Sequence, residues 1–237
     1  MIRLDSVTKQ FGALTAVDDV SFTVRKGESF ALLGPNGAGK TTIVRMLLGF
    51  IKPSSGLVTL NGLAASNPES RRCIGYVAEQ HSIPPYLSGA DYLLRHASFI
   101  GLTGQTAEKA VDRVLEAVSM KGREKKRASA YSRGMKQRIG LGAALLGQPE
   151  LLILDEPISG LDPVGIRDFR NILETLHGDG MTVMLNSHLL SEVEKTCETA
   201  AIMHKGEILL KGNIHDIARE NETLEDVFFR FIGHENE

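Results

Sequence analysis

The sequence predicts an α/β fold in which a mainly parallel sheet forms the core. Residues 29–33 form a short apolar run that leads through a glycine-rich loop into a helical pattern at 42–48. Residues 151–154 and 181–185 are apolar runs too short for helices, which is typical of buried parallel strands. Residues 88–133 are helical in pattern without an interrupting strand, which predicts an inserted helical subdomain.

An antiparallel β patch is predicted in front of this core. Alternating apolar residues place strands at 2–7 and 20–24, and Phe11 lies in a loop between them. The run 58–60, followed by Asn61-Gly62, predicts a hairpin in the same patch.

The remaining elements complete the sheet. Short apolar strands are predicted at 74–77, 200–203 and 207–210, the last two joined by a turn at Lys205-Gly206. The chain then ends in an amphipathic helix, whose apolar face we expect to pack on its own domain, since docking in cis is the commoner case. That face carries Leu224, Val227, Phe228 and Phe231.

Composition limits the possible functions. The 237 residues include 27 basic and 29 acidic side chains, so no bulk charge favours nucleic acid as a partner. No apolar run approaches the roughly 18 residues of a membrane-spanning helix, and residues 1–10 lack the apolar segment of a signal peptide. The two cysteines have no metal-ligand spacing, which favours a reducing, cytoplasmic setting.

A phosphate loop is the strongest motif. Its pattern G-x-x-x-x-G-K-[ST] is met by Gly34, Pro35, Asn36, Gly37, Ala38, Gly39, Lys40 and Thr41, and Thr42 continues into the helix. Glycines allow backbone N–H groups to surround a polyphosphate at a helix N-terminus. We expect Lys40 on the β- and γ-phosphates and the Thr41 hydroxyl on Mg²⁺. A glycine-rich turn without a ligand is the alternative, but the strand before the loop and the helix after it favour phosphate binding.

Two adjacent carboxylates follow the strand at 151–154. Asp155 and Glu156 are costly at a buried strand end unless they meet a cation or activate water. Since they follow a phosphate loop, Asp155 is predicted to hold Mg²⁺, and Glu156 to orient and polarise the attacking water. A solvated strand terminus is the alternative.

Other polar residues lie beyond predicted strand ends, where α/β sheets bind ligands. Glu79, Gln80 and His81 follow the strand at 74–77, although an ordinary exposed loop explains them equally well. His188 follows the strand at 181–185, and a γ-phosphate contact is favoured over a core role. Composition alone favours a core role for Phe11 over stacking on a nucleotide base.

Helix caps mark further candidates. Ser88 and Asp91 form the pattern of a capping box, and Asp162 precedes a proline at a helix start. Ser132 is suited to the N-cap of a helix that runs through Leu146, and Gly134 lies in its first turn. Such an N-terminus is a candidate anion site, although in isolation it is more often only a cap.

Taken together, these motifs resemble the ATP-binding subunit of an ABC transporter, over residues 2–212. Residues 34–41 match the Walker A motif, 131–135 the signature loop and 151–155 the Walker B strand. Glu156 matches the catalytic glutamate and His188 the switch histidine. Residues 159–162 resemble the D-loop, and the resemblance makes Phe11 the adenine-stacking aromatic.

Two departures from the family pattern stand out. The usual signature L-S-G-G-Q is replaced here at three places, by Tyr131, Arg133 and Met135. Glu79 occupies the usual place of the Q-loop glutamine, with Gln80 beside it. Both departures are similar to the subfamily that works with two-component, ABC-2 type export permeases.

The resemblance implies a single ATPase domain with the P-loop NTPase (RecA-like) fold. Residues 1–87 and 134–215 would form the ATP-binding core with its β patch, 88–133 the helical subdomain, and 216–237 a C-terminal helical tail.

It also implies ligands and partners. ATP and Mg²⁺ would be the cofactors, with the metal held by Thr41, Asp155 and Glu79. In a head-to-tail dimer with a second copy or a paralogous ATPase subunit, Ser132 and Gly134 would cover the other subunit's ATP. Asp162 would also belong to the nucleotide-binding residues. The dimer would drive integral membrane permease subunits from the cytoplasmic face, with no nucleic acid partner. A soluble ABC-type ATPase acting on nucleic acid or the ribosome, and a regulatory ATP switch, are the alternatives.

Overall fold

The computed structural model describes residues 1–219 and 222–233. Its strands are β1 (Ile2–Phe11), β2 (Leu14–Val24), β3 (Ser29–Leu33), β4 (Ser55–Leu60), β5 (Leu63–Ala64), β6 (Ile74–Val77), β7 (Leu151–Asp155), β8 (Thr182–Asn186), β9 (Thr199–His204) and β10 (Glu207–Asn213). Its helices are α1 (Lys40–Leu47), α2 (Gly89–Phe99), α3 (Gly104–Ala117), α4 (Arg133–Leu145), α5 (Pro163–Gly178), α6 (Leu190–Thr196), α7 (Ile214–Ile217) and α8 (Leu224–Ile232).

The chain divides into two compact units, which are described separately. The first comprises residues 1–72 and those from 180 onward, and the second comprises residues 73–179. Neither unit corresponds to the helical subdomain predicted at 88–133, and that division stays a prediction.

The first unit contains the antiparallel patch, in the order β2-β1-β4-β5. It also contains the strands β10-β9-β3-β8, of which β3 runs parallel to both β8 and β9. All five residues of β3 are buried, because it lies between two strands of this sheet. Helix α8 packs on α6, and its residues Leu224 and Val227 are fully buried, whereas Phe231 on the predicted apolar face is partly exposed.

The second unit contains the parallel pair β6 and β7, in which Ile74 is paired with Leu151 and Val77 with Leu154. Helices α2, α3 and α4 pack on one another, and α4 also packs on β6. Gly75 allows the close approach of α4 to β6, since a Cβ atom there would stand 2.5 Å from the carbonyl oxygen of Ala144.

Most strand and cap predictions are confirmed. The strand at 74–77 has the predicted bounds, and Asn61 and Gly62 both have positive φ in the turn between β4 and β5. Ser88 and Asp91 form the predicted capping box. The strands at 2–7 and 20–24 are longer than predicted.

The predicted loop position of Phe11 is wrong. Phe11 pairs with Leu14 in the ladder between β1 and β2, so the turn shrinks to residues 12 and 13. Cross-strand pairing, which short-range patterns do not show, extends both strands.

The C-terminal tail predicted at 216–237 is only partly covered. Helix α8 lies within it, whereas residues 220–221 and 234–237 lie outside the described residues. No helix among residues 1–219 and 222–233 is both long and apolar enough to cross a membrane.

Candidate nucleotide-binding site

The glycine-rich loop connects the buried strand β3 to helix α1 in the first unit. Gly39 caps α1 with φ of 108°, in the left-handed region that side chains other than glycine avoid. A Cβ atom on Gly39 would also collide with the carbonyl oxygen of Ala16 and with the Met203 side chain. The loop therefore requires glycine at this position for both backbone and space, and it leads the chain directly into the helix N-terminus.

Lys40 is the central polar group of this loop. Its side chain is only 6% exposed, and Nζ donates hydrogen bonds to the carbonyl oxygens of Gly34 at 2.6 Å and Pro35 at 3.0 Å. A buried ammonium is costly unless it is solvated by oxygen atoms, which the loop carbonyls supply. The positive charge thus lies at the N-terminus of α1, where backbone N–H groups also favour an anion.

Thr41 and Thr42 follow in the first turn of α1, Thr41 exposed and Thr42 half-buried. The Thr41 hydroxyl is a hard oxygen donor of the kind that Mg²⁺ accepts together with waters and phosphate oxygens. No group of three or more histidine, cysteine, aspartate or glutamate side chains that could hold a metal occurs in the described part of the chain. The Thr41 hydroxyl by itself fits Mg²⁺, which usually keeps several waters and takes few protein ligands.

The carboxylate pair lies at the end of β7 in the second unit. Asp155 is the last residue of this fully buried strand and is 6% exposed. Glu156 follows with φ of 47°, a left-handed conformation that costs a non-glycine residue roughly 1–2 kcal/mol. Such strain is found where the direction of a side chain matters for function. The pair thus lies at the end of a buried strand, with a buried aspartate next to a strained, half-buried glutamate, and its roles toward metal and water stay predictions.

The polar residues after β6 divide into two kinds. Glu79 and Gln80 are exposed, and their contact with nucleotide or metal stays a prediction. His81 instead packs on α4, where Nε2 lies 2.9 Å from the carbonyl oxygen of Lys136. A Cβ atom on Gly140 would collide with the His81 ring, so that glycine makes room for the imidazole.

His188 and Phe11 lie in the first unit, together with the phosphate loop. His188 is exposed just beyond β8. Phe11 is 46% exposed at the end of β1, with the Lys9 ammonium 5.0 Å from its ring centroid. A half-exposed ring is not a core residue, so the preference from composition is wrong. Stacking of the ring on a nucleotide base stays a prediction.

The candidate residues of the signature loop and D-loop lie at two helix N-termini of the second unit. Ser132 caps α4, where its Oγ accepts a hydrogen bond from the Met135 N–H at 3.2 Å. Asp162 caps α5, where Oδ1 accepts from the Gly165 N–H at 2.9 Å. Both caps are confirmed, and contacts of Ser132, Gly134 and Asp162 with nucleotide stay predictions.

Sequence reasoning missed the role of Tyr131. Its buried hydroxyl donates to the carbonyl oxygen of Arg123 at 2.9 Å and accepts from the Gly89 N–H at 3.2 Å. The hydroxyl thereby connects the residue before the Ser132 cap to the first turn of α2. The sequence did contain a signal for this role, because tyrosine replaces the usual leucine at the first place of the signature loop.

The strand–loop–helix with a buried lysine, together with an Asp-Glu pair at the end of a buried parallel strand, defines a P-loop nucleotide-binding protein. The comparisons with known proteins agree and specify the family. The model of the ABC transporter family matches residues 17–159.

Two relatives and one solved structure illustrate the similarity. The bacitracin transport ATP-binding protein BcrA of Bacillus licheniformis is 40% identical over 212 residues, which cover 88% of this chain and 68% of BcrA. The lantibiotic transport ATP-binding protein SrtF of Streptococcus pyogenes is 35% identical over 228 residues, 96% of each chain. A solved ATP-binding subunit of an ABC transporter superposes with a TM-score of 0.85 at 29% identity and covers 98% of this chain and 99% of that one. The chain belongs to the ABC transporter family, as an ATP-binding and ATP-hydrolysing subunit.

Proposed function

We propose that this chain hydrolyses ATP to drive a separate membrane permease in export. The observation that carries the proposal is the buried Lys40 ammonium at the N-terminus of α1, in a loop that admits only glycine at position 39. This arrangement is built for a polyphosphate, and family membership connects it to transport. Anchoring to a permease on the cytoplasmic face of the membrane is part of the same proposal.

The residues divide the chemistry between them. Lys40 binds the β- and γ-phosphate oxygens, while Thr41 and Asp155 would hold Mg²⁺, which would supply charge neutralisation. Glu156 orients the attacking water and accepts its proton, and His188 donates a hydrogen bond toward the γ-phosphate. Phe11 stacks on the adenine ring.

Two subunits are needed to complete each site. A phosphate loop leaves one face of the γ-phosphate open to water, and a second helix N-terminus supplies the donors that close it. In a head-to-tail dimer, the N-terminus of α4, with Ser132 and Gly134, covers the nucleotide of the other subunit. ATP then holds the subunits together, and its hydrolysis releases them.

The relatives suggest the class of cargo. BcrA is named for bacitracin transport and SrtF for lantibiotic transport, and we infer that this chain serves the export of a compound of that antibiotic class. Cells that express the chain with its permease should then tolerate more bacitracin or lantibiotic than cells with the Lys40→Ala variant, which lacks the phosphate-binding ammonium.

The Glu156→Gln variant tests the ATPase assignment. Glutamine keeps the size of the side chain but cannot accept the proton of water, so hydrolysis should fall by about 100-fold or more, since general base catalysis contributes 10²–10⁴-fold. ATP binding should persist, and the variant should form an ATP-dependent dimer in size-exclusion chromatography. Glu108→Gln, on the exposed face of α3, is the matched control. Normal phosphate release by the Glu156 variant would remove this residue from the role of base.

A further inference from the structure

Arg133 replaces the usual glycine at the third place of the signature loop, and its guanidinium lies directly on the backbone of Gly160. A Cβ atom built on Gly160 would stand 2.5 Å from Nη1, 2.6 Å from Cζ and 3.0 Å from Nη2 of Arg133. Three guanidinium atoms at this distance mean that the group packs over the glycine. Gly160 has φ of 68°, which itself favours glycine. The Arg133 side chain and the D-loop, residues 159–162, are therefore in contact at Gly160.

The surrounding contacts align the starts of helices α4 and α5. The Cβ position of Gly134 is 3.9 Å from Cα of Gly165, so the two first turns lie close together. Further along, Arg138 Nη1 lies 3.5 Å from Asp168 Oδ2 in a partly buried ion pair. These two contacts occur in the same order along both helices, so α4 and α5 run in the same direction. Their N-termini therefore lie at the same end of the second unit.

The position of Arg133 is electrostatically unfavourable for the isolated helix. It is the first residue of α4, where the helix dipole disfavours a cation. Helix stability alone therefore gives no reason for an arginine here. Contact with Gly160 gives one, since a planar guanidinium can lie flat on a glycine backbone where an ammonium on a flexible stem cannot.

We propose that Arg133 is a positioning residue that locks the signature loop to the D-loop of the same subunit. Its guanidinium fixes the first turn of α4, with Ser132 and Gly134, relative to Asp162 at the start of α5. Both ends are then presented as one rigid surface to the nucleotide of the other subunit. This inference rests on the proposed ATPase function and assigns to Arg133 an effect on turnover rather than on nucleotide binding by the subunit's own phosphate loop.

The experiment compares steady-state ATP hydrolysis by six proteins: the wild type, Arg133→Ala, Arg133→Lys, Gly160→Ala, the double variant Arg133→Ala/Gly160→Ala, and Gly122→Ala. Gly160→Ala places a methyl group where the guanidinium lies. Gly122→Ala is the matched control, because Gly122 also has positive φ, at 79°, but a Cβ atom there meets nothing within 4 Å. Thermal melting of each protein measures folding separately.

We expect kcat to fall by about 10- to 100-fold in Arg133→Ala and in Gly160→Ala, as for a misplaced reacting surface, with KM for ATP nearly unchanged. Arg133→Lys should not restore kcat, because it keeps the charge but loses the planar group. The double variant Arg133→Ala/Gly160→Ala should be no slower than either single variant, since both remove the same contact. Gly122→Ala should keep the wild-type kcat.

Three results would overturn the proposal: a wild-type kcat in Arg133→Ala even if its melting temperature falls, full restoration by lysine, or additive losses in the double variant. Its failure is distinguishable from failure of the proposed function. If the wild type hydrolyses ATP and Glu156→Gln does not, the ATPase assignment stands whatever Arg133 does.

Discussion

Removing one oxygen atom from Tyr131 should measurably destabilise the protein. In Tyr131→Phe the ring stays in place, but the Arg123 carbonyl and the Gly89 N–H lose the hydroxyl that lies 2.9 and 3.2 Å from them. Tyr131 is 6% exposed, and its burial raises the pKa of the phenol, so water has little access to replace the lost group. An unsatisfied buried polar group costs about 1–3 kcal/mol.

The expected loss is therefore about 2 kcal/mol in the free energy of unfolding. For a chain of this size each kcal/mol lowers the melting temperature by about 2–4 °C, which predicts a fall of about 4–8 °C. Thermal denaturation followed by circular dichroism measures it directly. Tyr86→Phe is the matched control, since Tyr86 is 65% exposed and its change should leave the melting temperature unaltered. Equal melting of wild type and Tyr131→Phe would refute the reasoning, because it would mean that the hydroxyl does not satisfy the two backbone groups.

Three further predictions follow from the site and the thiols. Lys40→Ala should weaken ATP binding by about 10- to 100-fold, the value of a hydrogen bond to a charged group, whereas Lys52→Ala on the exposed surface should not, as measured by fluorescent nucleotide titration. Phe11→Ala should raise KM for ATP by about 2- to 10-fold through lost stacking, with an unchanged melting temperature, because the ring is half exposed. Burial raises the pKa of Cys197 to about 12 and, less strongly, that of Cys73. A thiol reagent at pH 8 should therefore modify only Cys73 in the native protein and Cys197 after denaturation in urea, and early modification of Cys197 would contradict its burial.

Local patterns were enough for the elements that bear the motifs. The runs at 74–77 and 151–154 are short, apolar and bounded by loops. Their assignment as strands and their approximate bounds therefore followed from length and apolarity alone. Asp162 followed by proline predicted the start of α5 for the same reason, since the cap and the fixed φ of proline act within one turn.

Local patterns could not predict which residues pair or pack against each other. Phe11 reads as a loop residue until it is paired with Leu14 across the turn. His81 follows a strand, where a ligand contact and an ordinary exposed loop were equally good predictions, yet its ring packs on α4 against the Lys136 carbonyl, far away in sequence. Neither contact leaves a periodic or spacing signal in the chain.

The sequence by itself determined which chemistry this protein performs, because phosphate loops, caps and adjacent carboxylates act through residues that are neighbours along the chain. Lys40, Thr41, Asp155 and Glu156 are recognisable from their order alone. Only the tertiary structure decided how Arg133 is used, since its partner Gly160 lies on another helix start and the contact depends on how α4 and α5 pack. Local geometry depends on residues that are neighbours in the sequence, whereas packing between distant segments is determined only when the whole unit has folded.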